Sequence, residues 1–112
     1  MTLIPEMTTC SGCRGIADAW WRHGIADEKS QLGLREFEFY EHIKDEHPTF
    51  TLMSLDGCRT CAEAVTMAQF VLPGMAMYRK NGDYVDPAEL HFVRHALEQT
   101  AESSGKDIGW VR

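Results

Sequence analysis

The stretch FTLMSLDGCRTCAEAVTMAQF, residues 50–70, contains the features from which the rest of the chain can be interpreted. Its apolar first part, which ends at Leu55, is typical of a strand, and the Asp-Gly pair at 56–57 is typical of a turn. The motif CRTC at 58–61 follows and leads into a run of helix-forming residues. The other CxxC motif, CSGC at 10–13, contains the remaining two cysteines of the chain. The fold therefore depends on how these two motifs are related in space.

The two CxxC motifs predict a metal site. Each motif directs two sulfurs at one point, and tetrahedral zinc in a structural site takes four such ligands. The 44 residues between the motifs are enough for a helix and a hairpin. We therefore predict one structural zinc ion held by all four cysteines: Cys10, Cys13, Cys58 and Cys61. Four thiolates suit iron as well as zinc, so the sequence leaves the choice of metal open.

Composition indicates a small globular protein. A chain of 112 residues has room for one domain, 1–112, with a modest core, and we expect residues 101–112 to form a loose tail from which Trp110 docks back. The first residues lack the basic start and long apolar middle of a signal peptide, and no stretch is long and apolar enough for a membrane span. We therefore expect a cytoplasmic protein whose thiols are reduced or metal-bound.

The formal net charge of −6 argues against binding to nucleic acid, which depends on clustered Lys and Arg. Between residues 26 and 47 there are seven acidic and three basic residues. This segment forms either a solvated face or a surface that attracts a basic protein partner. On the second interpretation the candidate contact residues are Glu36, Glu38, Glu41, Asp45 and Glu46.

In the first half of the chain, the apolar spacing over 14–23 predicts an amphipathic helix, with Gly24 as a left-handed cap. We interpret residues 25–34 as a polar connection. Alternation over 35–43 and the apolar run over 49–55 predict two strands, joined by a turn at 44–48 into a first hairpin.

In the second half, residues 62–69 predict a helix, and the apolar runs on either side of Asn81-Gly82 predict a second, tight hairpin. Asp86 as N-cap, Pro87 at the first helical position and Glu89 in a capping box predict a helix that extends to about Gln99. The result is an α+β fold with two β-hairpins and about three helices, stapled by zinc. No repeat beyond the two CxxC motifs is found.

A CxxC turn, then a hairpin, then a helix with the second CxxC motif at its start resemble the treble-clef zinc domain. More narrowly, TLMSL followed by CRTCAEAV is similar to the second half of zinc-bearing HNH-type domains, over residues 39–67. That resemblance implies a zinc scaffold and places His42, or the competing His47, at the first catalytic histidine of the family. The chain has Thr51 and Ala62 where the family has Asn and His, so the resemblance implies an inactive relative as readily as a nuclease.

The second resemblance supports an enzyme. The segment LPGMAMYRKNGDYVDPAELHFVRHAL, residues 72–97, is similar to the end of the thioredoxin and glutaredoxin fold, with Pro73 in the place of the family's cis-proline. A CxxC motif at a helix N-terminus is also how redox dithiols obtain a low pKa. We predict a small acidic zinc-binding module with a protein-interaction or regulatory role rather than an enzyme, and the alternative is a thiol-disulfide oxidoreductase.

His91 and His95 lie at i and i+4 on the last predicted helix, a spacing that could chelate a metal. A helix that buries Leu90, Val93 and Leu97 leaves these histidines towards its edge, so we interpret them as surface residues.

Overall fold

The computed structural model describes residues 9–50, 52, 57–70 and 77–111. This part of the chain forms four α-helices: α1 (Ser11–Ile25), α2 (Lys29–Glu46), α3 (Arg59–Ala68) and α4 (Pro87–Ser103). Strands β1 (Met77–Tyr78) and β2 (Tyr84–Val85) pair antiparallel between α3 and α4, and a 3₁₀ turn, Gly109–Val111, follows α4. Four helices and a two-stranded sheet are compatible with the α+β class.

The first predicted hairpin is wrong in its first strand, because residues 35–43 lie within α2. Their alternation extends over too few positions to specify a strand, whereas Glu36, Phe39, Tyr40 and Ile43 recur at helical spacing and are all buried. The connection predicted over 25–34 is also shorter than expected, since α2 already begins at Lys29. Of the second predicted strand, the described residues 49, 50 and 52 are not in a strand, and positions 51 and 53–55 lie outside the described residues.

The helix predicted over 14–23 is confirmed as α1, but Gly24 does not cap it. Helix α1 continues to Ile25, and the positive φ of 55° falls on Asp27, a residue type that tolerates this conformation. Gly24 instead allows a close approach, because a Cβ at this position would lie 2.0 Å from the ring of Trp110.

The second half of the chain matches its predictions more closely. The helix expected over 62–69 is α3, and the Asn-Gly hairpin is β1–β2, although its connection is five residues long. In the segment that the structure describes around this turn, Gly82 has a positive φ of 95°. The proline at 73 lies outside the described residues, and the described sheet has no parallel strands of the kind that a thioredoxin-like fold requires.

The start of α4 is as predicted, and its end is not. The Asp86 carboxylate accepts a hydrogen bond from the backbone N–H of Ala88 at 2.9 Å, and Pro87 occupies the first helical position. The structure records no capping-box hydrogen bond at the described Glu89. Its carboxylate instead accepts a hydrogen bond from Lys44 at 3.0 Å, which links α4 to α2. The helix then extends to Ser103 rather than to about Gln99.

Helix α4 is central to the packing, since it contacts α1, α2 and α3. Val93, Ala96 and Leu97 are fully buried on it. The C-terminal segment contacts α1, where the Trp110 ring lies 5.0 Å from that of Trp20 and the indole N–H of Trp21 donates to the carbonyl of Asp107 at 2.7 Å. In the described part of the chain, none of the helices has the length and apolar content needed to cross a bilayer.

Candidate metal centres

The first CxxC motif lies at the start of α1. Cys10 is the N-cap, with extended backbone angles, and its carbonyl accepts the first helical hydrogen bond from the N–H of Arg14 at 3.0 Å. Cys13 lies one turn later and is fully buried. Residues three apart share one face of a helix, so the local structure alone directs both sulfurs to the same side.

The C-terminal end of α2 supplies two histidines to these sulfurs. The Sγ of Cys10 lies 3.4 Å from Nε2 of His42, and the Sγ of Cys13 lies 3.3 Å from Nε2 of His47. His47 follows the last residue of α2, where its backbone N–H donates to the carbonyl of Ile43 at 2.8 Å. These four residues, Cys10, Cys13, His42 and His47, form cluster 1, in which all ligand atoms lie within 4.8 Å of one another.

Gly12 allows His42 to reach cluster 1. A Cβ at position 12 would lie 2.7 Å from Cε1 of the His42 ring, closer than real Cβ contacts come. A side chain here would therefore displace His42 from Cys10. The glycine inside the motif CSGC is thus a positioning residue, which sequence reasoning missed.

The second CxxC motif repeats this arrangement at the start of α3. Cys58 is the N-cap with extended backbone angles, and Cys61 is fully buried in the first turn. Nε2 of His95 lies 3.5 Å from the Sγ of Cys58 and 3.0 Å from the Sγ of Cys61. With His91, one turn earlier on α4, these residues form cluster 2: Cys58, Cys61, His91 and His95, again with ligand atoms within 4.8 Å of one another.

Two features of cluster 2, one within it and one beside it, are typical of metal ligation. Nε2 of His91 is buried without a hydrogen-bond partner among the described residues, which is costly unless another ligand satisfies it. Burial also lowers the pKa of His91, so its imidazole is kept in the neutral form that binds metals. Oε2 of Glu98 lies 3.6 Å from Nδ1 of His95, on the side opposite to the sulfurs, where carboxylates orient metal-binding histidines.

The donor set of each cluster fits a tetrahedral ion. Zinc–sulfur and zinc–nitrogen bonds of usual length place a sulfur and a nitrogen ligand about 3.6 Å apart. The observed sulfur–nitrogen separations of 3.0 to 3.5 Å are close to this value. Each cluster also provides four ligands, which fills a tetrahedral shell. Both clusters are therefore compatible with a structural metal site.

Without a metal, the two thiols of cluster 1 differ in acidity. The pKa of Cys10 is lowered to about 6, chiefly because the backbone N–H of Cys13 donates to its sulfur. Burial raises the pKa of Cys13 to about 12, and the neighbouring Cys10 sulfur adds to this rise. In cluster 2 the pKa of Cys58 is lowered to about 6, first by the Thr60 hydroxyl and then by the backbone N–H of Cys61. The first thiol of each motif is therefore the thiolate at neutral pH.

The structure does not bring the four cysteines into the single cluster that the spacing predicted. Among the described residues, each CxxC pair is grouped with two histidines and not with the other pair. The interpretation of His91 and His95 as surface residues is therefore corrected. His42 and His47, the competing candidates for the first catalytic histidine of an HNH-like site, lie beside Cys10 and Cys13.

A repeat in the sequence contains the signal that was missed. Cys58 and Cys61 follow Cys10 and Cys13 by 48 residues in each case, and His95 follows His47 by the same 48. His91 follows His42 by 49 residues. The chain therefore contains the pattern CxxC, long spacer, paired histidines twice in the same order.

The acidic residues proposed as partner contacts are divided by the structure. Glu36 is buried, and it accepts hydrogen bonds from the indole of Trp20 at 3.2 Å and from Arg94 at 3.4 Å. Glu41 accepts from the backbone N–H of Lys80 at 3.1 Å, and the more exposed Asp45 pairs with Arg79. The contacts of Glu41 and Asp45 hold the hairpin against α2, whereas those of Glu36 link α2 to α1 and α4. The remaining two, Glu38 and Glu46, are exposed.

Comparisons of the chain with protein-family models, with curated proteins and with solved structures found no match. The treble-clef, HNH and thioredoxin resemblances thus gain no support from a relative, and interpretation of the clusters rests on their geometry.

Proposed function

We propose that this chain is a small zinc-binding module in which two structural Cys₂His₂ sites hold helices together and that it works through protein interaction rather than catalysis. The observation that supports this function is the convergence, twice, of two sulfurs and two imidazole nitrogens within 4.8 Å. A site with four protein ligands has no open position for a substrate, which is typical of structural zinc and not of catalytic zinc.

The donor chemistry favours zinc over iron in this proposal. Two thiolates and two neutral imidazoles form one of the standard tetrahedral sets of structural zinc. Two thiolates also balance the charge of a divalent ion, so each occupied site would be neutral overall. When bound, the ion would contribute folding free energy, because the unfolded chain has no preformed site.

Metal stoichiometry tests this proposal. We expect two zinc equivalents per chain by elemental analysis and native mass spectrometry. The double variants Cys10→Ser/Cys13→Ser and Cys58→Ser/Cys61→Ser should each retain one equivalent. The control His23→Ala, outside both clusters, should retain two.

Other results would contradict two sites. One equivalent in the wild-type protein that is lost in both double variants would indicate a single four-cysteine site. A metal-free, folded protein with a reversible Cys10–Cys13 disulfide would favour the thiol-disulfide oxidoreductase instead, for which the lowered pKa of Cys10 is the supporting observation.

The partner that we propose is a protein with a basic surface. The net charge of −6 and the exposed carboxylates of Glu38 and Glu46 on α2 support this choice. Binding to an immobilised oligolysine peptide should weaken with salt and in the variant Glu38→Lys/Glu46→Lys. Equal binding by that variant and by the control Glu102→Lys would contradict a role for α2.

A further inference from the structure

Among the described residues, α3 contributes less buried apolar surface to the core than α1 does. Cys61 is the buried residue of α3, whereas α1 buries Cys13, Ala17 and the large side chain of Trp20. In the described part of the chain, the recorded side-chain hydrogen bonds from α3 to α4 run from Cys58 and Cys61 to His95. By contrast, the large apolar side chains of α3 are exposed: Val65 is 43% and Met67 is 67% exposed.

This difference in burial determines what metal removal would do to each helix. Burying a large apolar side chain stabilises a fold by about 1.5–3 kcal/mol, and α1 has Trp20 while α3 has no comparable side chain. Helix α3 has 10 residues, and isolated helices shorter than about 12–15 residues are marginal in water. Without ligand bonds to a metal, the described residues of α3 that pack against the core are only the buried Cys61 and the partly buried Ala68.

Cluster 2 is also the more accessible of the two clusters. In cluster 1 both Cys13 and His47 are buried, while in cluster 2 only Cys61 is, and Cys58, His91 and His95 are partly exposed. A competing ligand can therefore approach the metal of cluster 2 more easily than that of cluster 1.

We infer that cluster 2 is an exchangeable zinc site whose occupancy docks α3 on α4, while cluster 1 holds its zinc permanently as part of the core. This inference rests on the proposed function. Docking of α3 then responds to zinc availability. Zinc loss releases α3 and uncovers the part of α4 that carries His91 and His95. Helix α4 itself stays in place, because its buried residues Val93 and Leu97 belong to the core.

The tryptophans report on one half of the molecule only. All three, Trp20, Trp21 and Trp110, lie on α1 or in the C-terminal segment that packs against it. Their fluorescence follows the surroundings of α1, whereas amide hydrogen exchange over 59–68 follows α3.

The test is graded removal of zinc from the two-zinc protein by a chelator, followed by native mass spectrometry, hydrogen exchange and tryptophan fluorescence. We expect a one-zinc species in which amides of α3 exchange at least tenfold faster, while exchange in α1 and tryptophan emission are unchanged. Simultaneous loss of both ions, first loss at α1, or an α3 that stays protected in the one-zinc species would each overturn the inference.

The variant Cys61→Ser provides a second measurement. It should bind one zinc, show fast exchange over 59–68 at saturating zinc, and retain the tryptophan emission of the wild-type protein. Emission that changes with this variant would mean that cluster 2 also stabilises the core. A chain that binds no zinc would contradict the proposed function itself. A two-zinc chain in which hydrogen exchange of α3 does not change on zinc loss would contradict only the exchangeable site.

Discussion

The two halves of this molecule place two cysteines and two histidines in the same order but differ in what surrounds them. Cluster 1 joins α1 to α2, which also share a core of large side chains that includes Trp20, Phe39 and Tyr40. Cluster 2 joins α3 to α4, and α3 adds only Cys61 to the fully buried residues. On the proposed function, the same metal chemistry would reinforce extensive packing in one half and supplement sparse packing in the other.

The difference follows from side-chain composition and not from the ligands. At the position that corresponds to Trp20 in the 48-residue repeat, α3 has Ala68. A tryptophan that contacts Trp110 and donates to Glu36 ties α1 to α2 and to the C-terminal segment. An alanine at the corresponding position makes no such link.

The largest expected effect comes from removing that tryptophan. Trp20→Ala should lower the free energy of unfolding of the zinc-loaded protein by about 3–5 kcal/mol, the usual loss for a buried aromatic side chain. Met67→Ala, at an exposed apolar position of α3, should change it by less than about 0.5 kcal/mol. Urea denaturation followed by circular dichroism measures both. Similar losses in the two variants would mean that α3 contributes to the core as α1 does.

A smaller effect is expected at Gly12, and it should be confined to cluster 1. Gly12→Ala forces His42 away from Cys10, so zinc affinity at cluster 1 should fall about 10- to 100-fold, as when groups that orient metal ligands are disturbed. The matched control is Gly15→Ala, where a Cβ would meet nothing within 4 Å. Competition titration monitored by native mass spectrometry distinguishes the two ions. Unchanged affinity in Gly12→Ala would show that His42 is not a ligand.

The smallest expected effect concerns thiol reactivity at the start of α1, where the helix is packed without help from a metal. In the zinc-free protein at pH 7, Cys10 should react with iodoacetamide faster than Cys13, because the pKa of Cys10 is lowered to about 6 and that of Cys13 is raised to about 12. Zinc should protect both thiols. Peptide mapping by mass spectrometry gives the rates, and equal rates for Cys10 and Cys13 would contradict the assignment.

The lowered pKa of Cys10 also determines whether the stability of the zinc-free protein rises or falls with pH. A pKa of about 6 for Cys10 in the folded state lies below the ordinary 9.0, so its stabilising contribution is complete above pH 9 and is lost as the pH falls through 6. The free energy of unfolding of the zinc-free protein should therefore rise from pH 6 to pH 8. A fall over this interval would contradict it.

Parts of the fold could be predicted because local chemistry determines them. Asp86-Pro87 starts α4 because a carboxylate caps the free N–H groups and proline has none to lose. The Asn-Gly pair marks the hairpin for a comparable local reason. Residues 35–43 could not be assigned correctly, because Phe37 and Phe39 fit alternation while Phe39, Tyr40 and Ile43 fit a helix, and only packing against α1 decides between the two patterns.

The sequence by itself determined which residues are able to bind a metal. It has two CxxC motifs, each at a helix N-terminus, where residues three apart share a face. It also contained the paired histidines at the matching 48- and 49-residue intervals. Only the tertiary structure decided which ligands meet. A thiolate can coordinate a zinc ion together with another thiolate or with an imidazole, so its chemistry does not determine which residues complete the site. The packing of α2 on α1 and of α4 on α3 selects it, because those contacts place the histidine-bearing segments beside the cysteine-bearing ends.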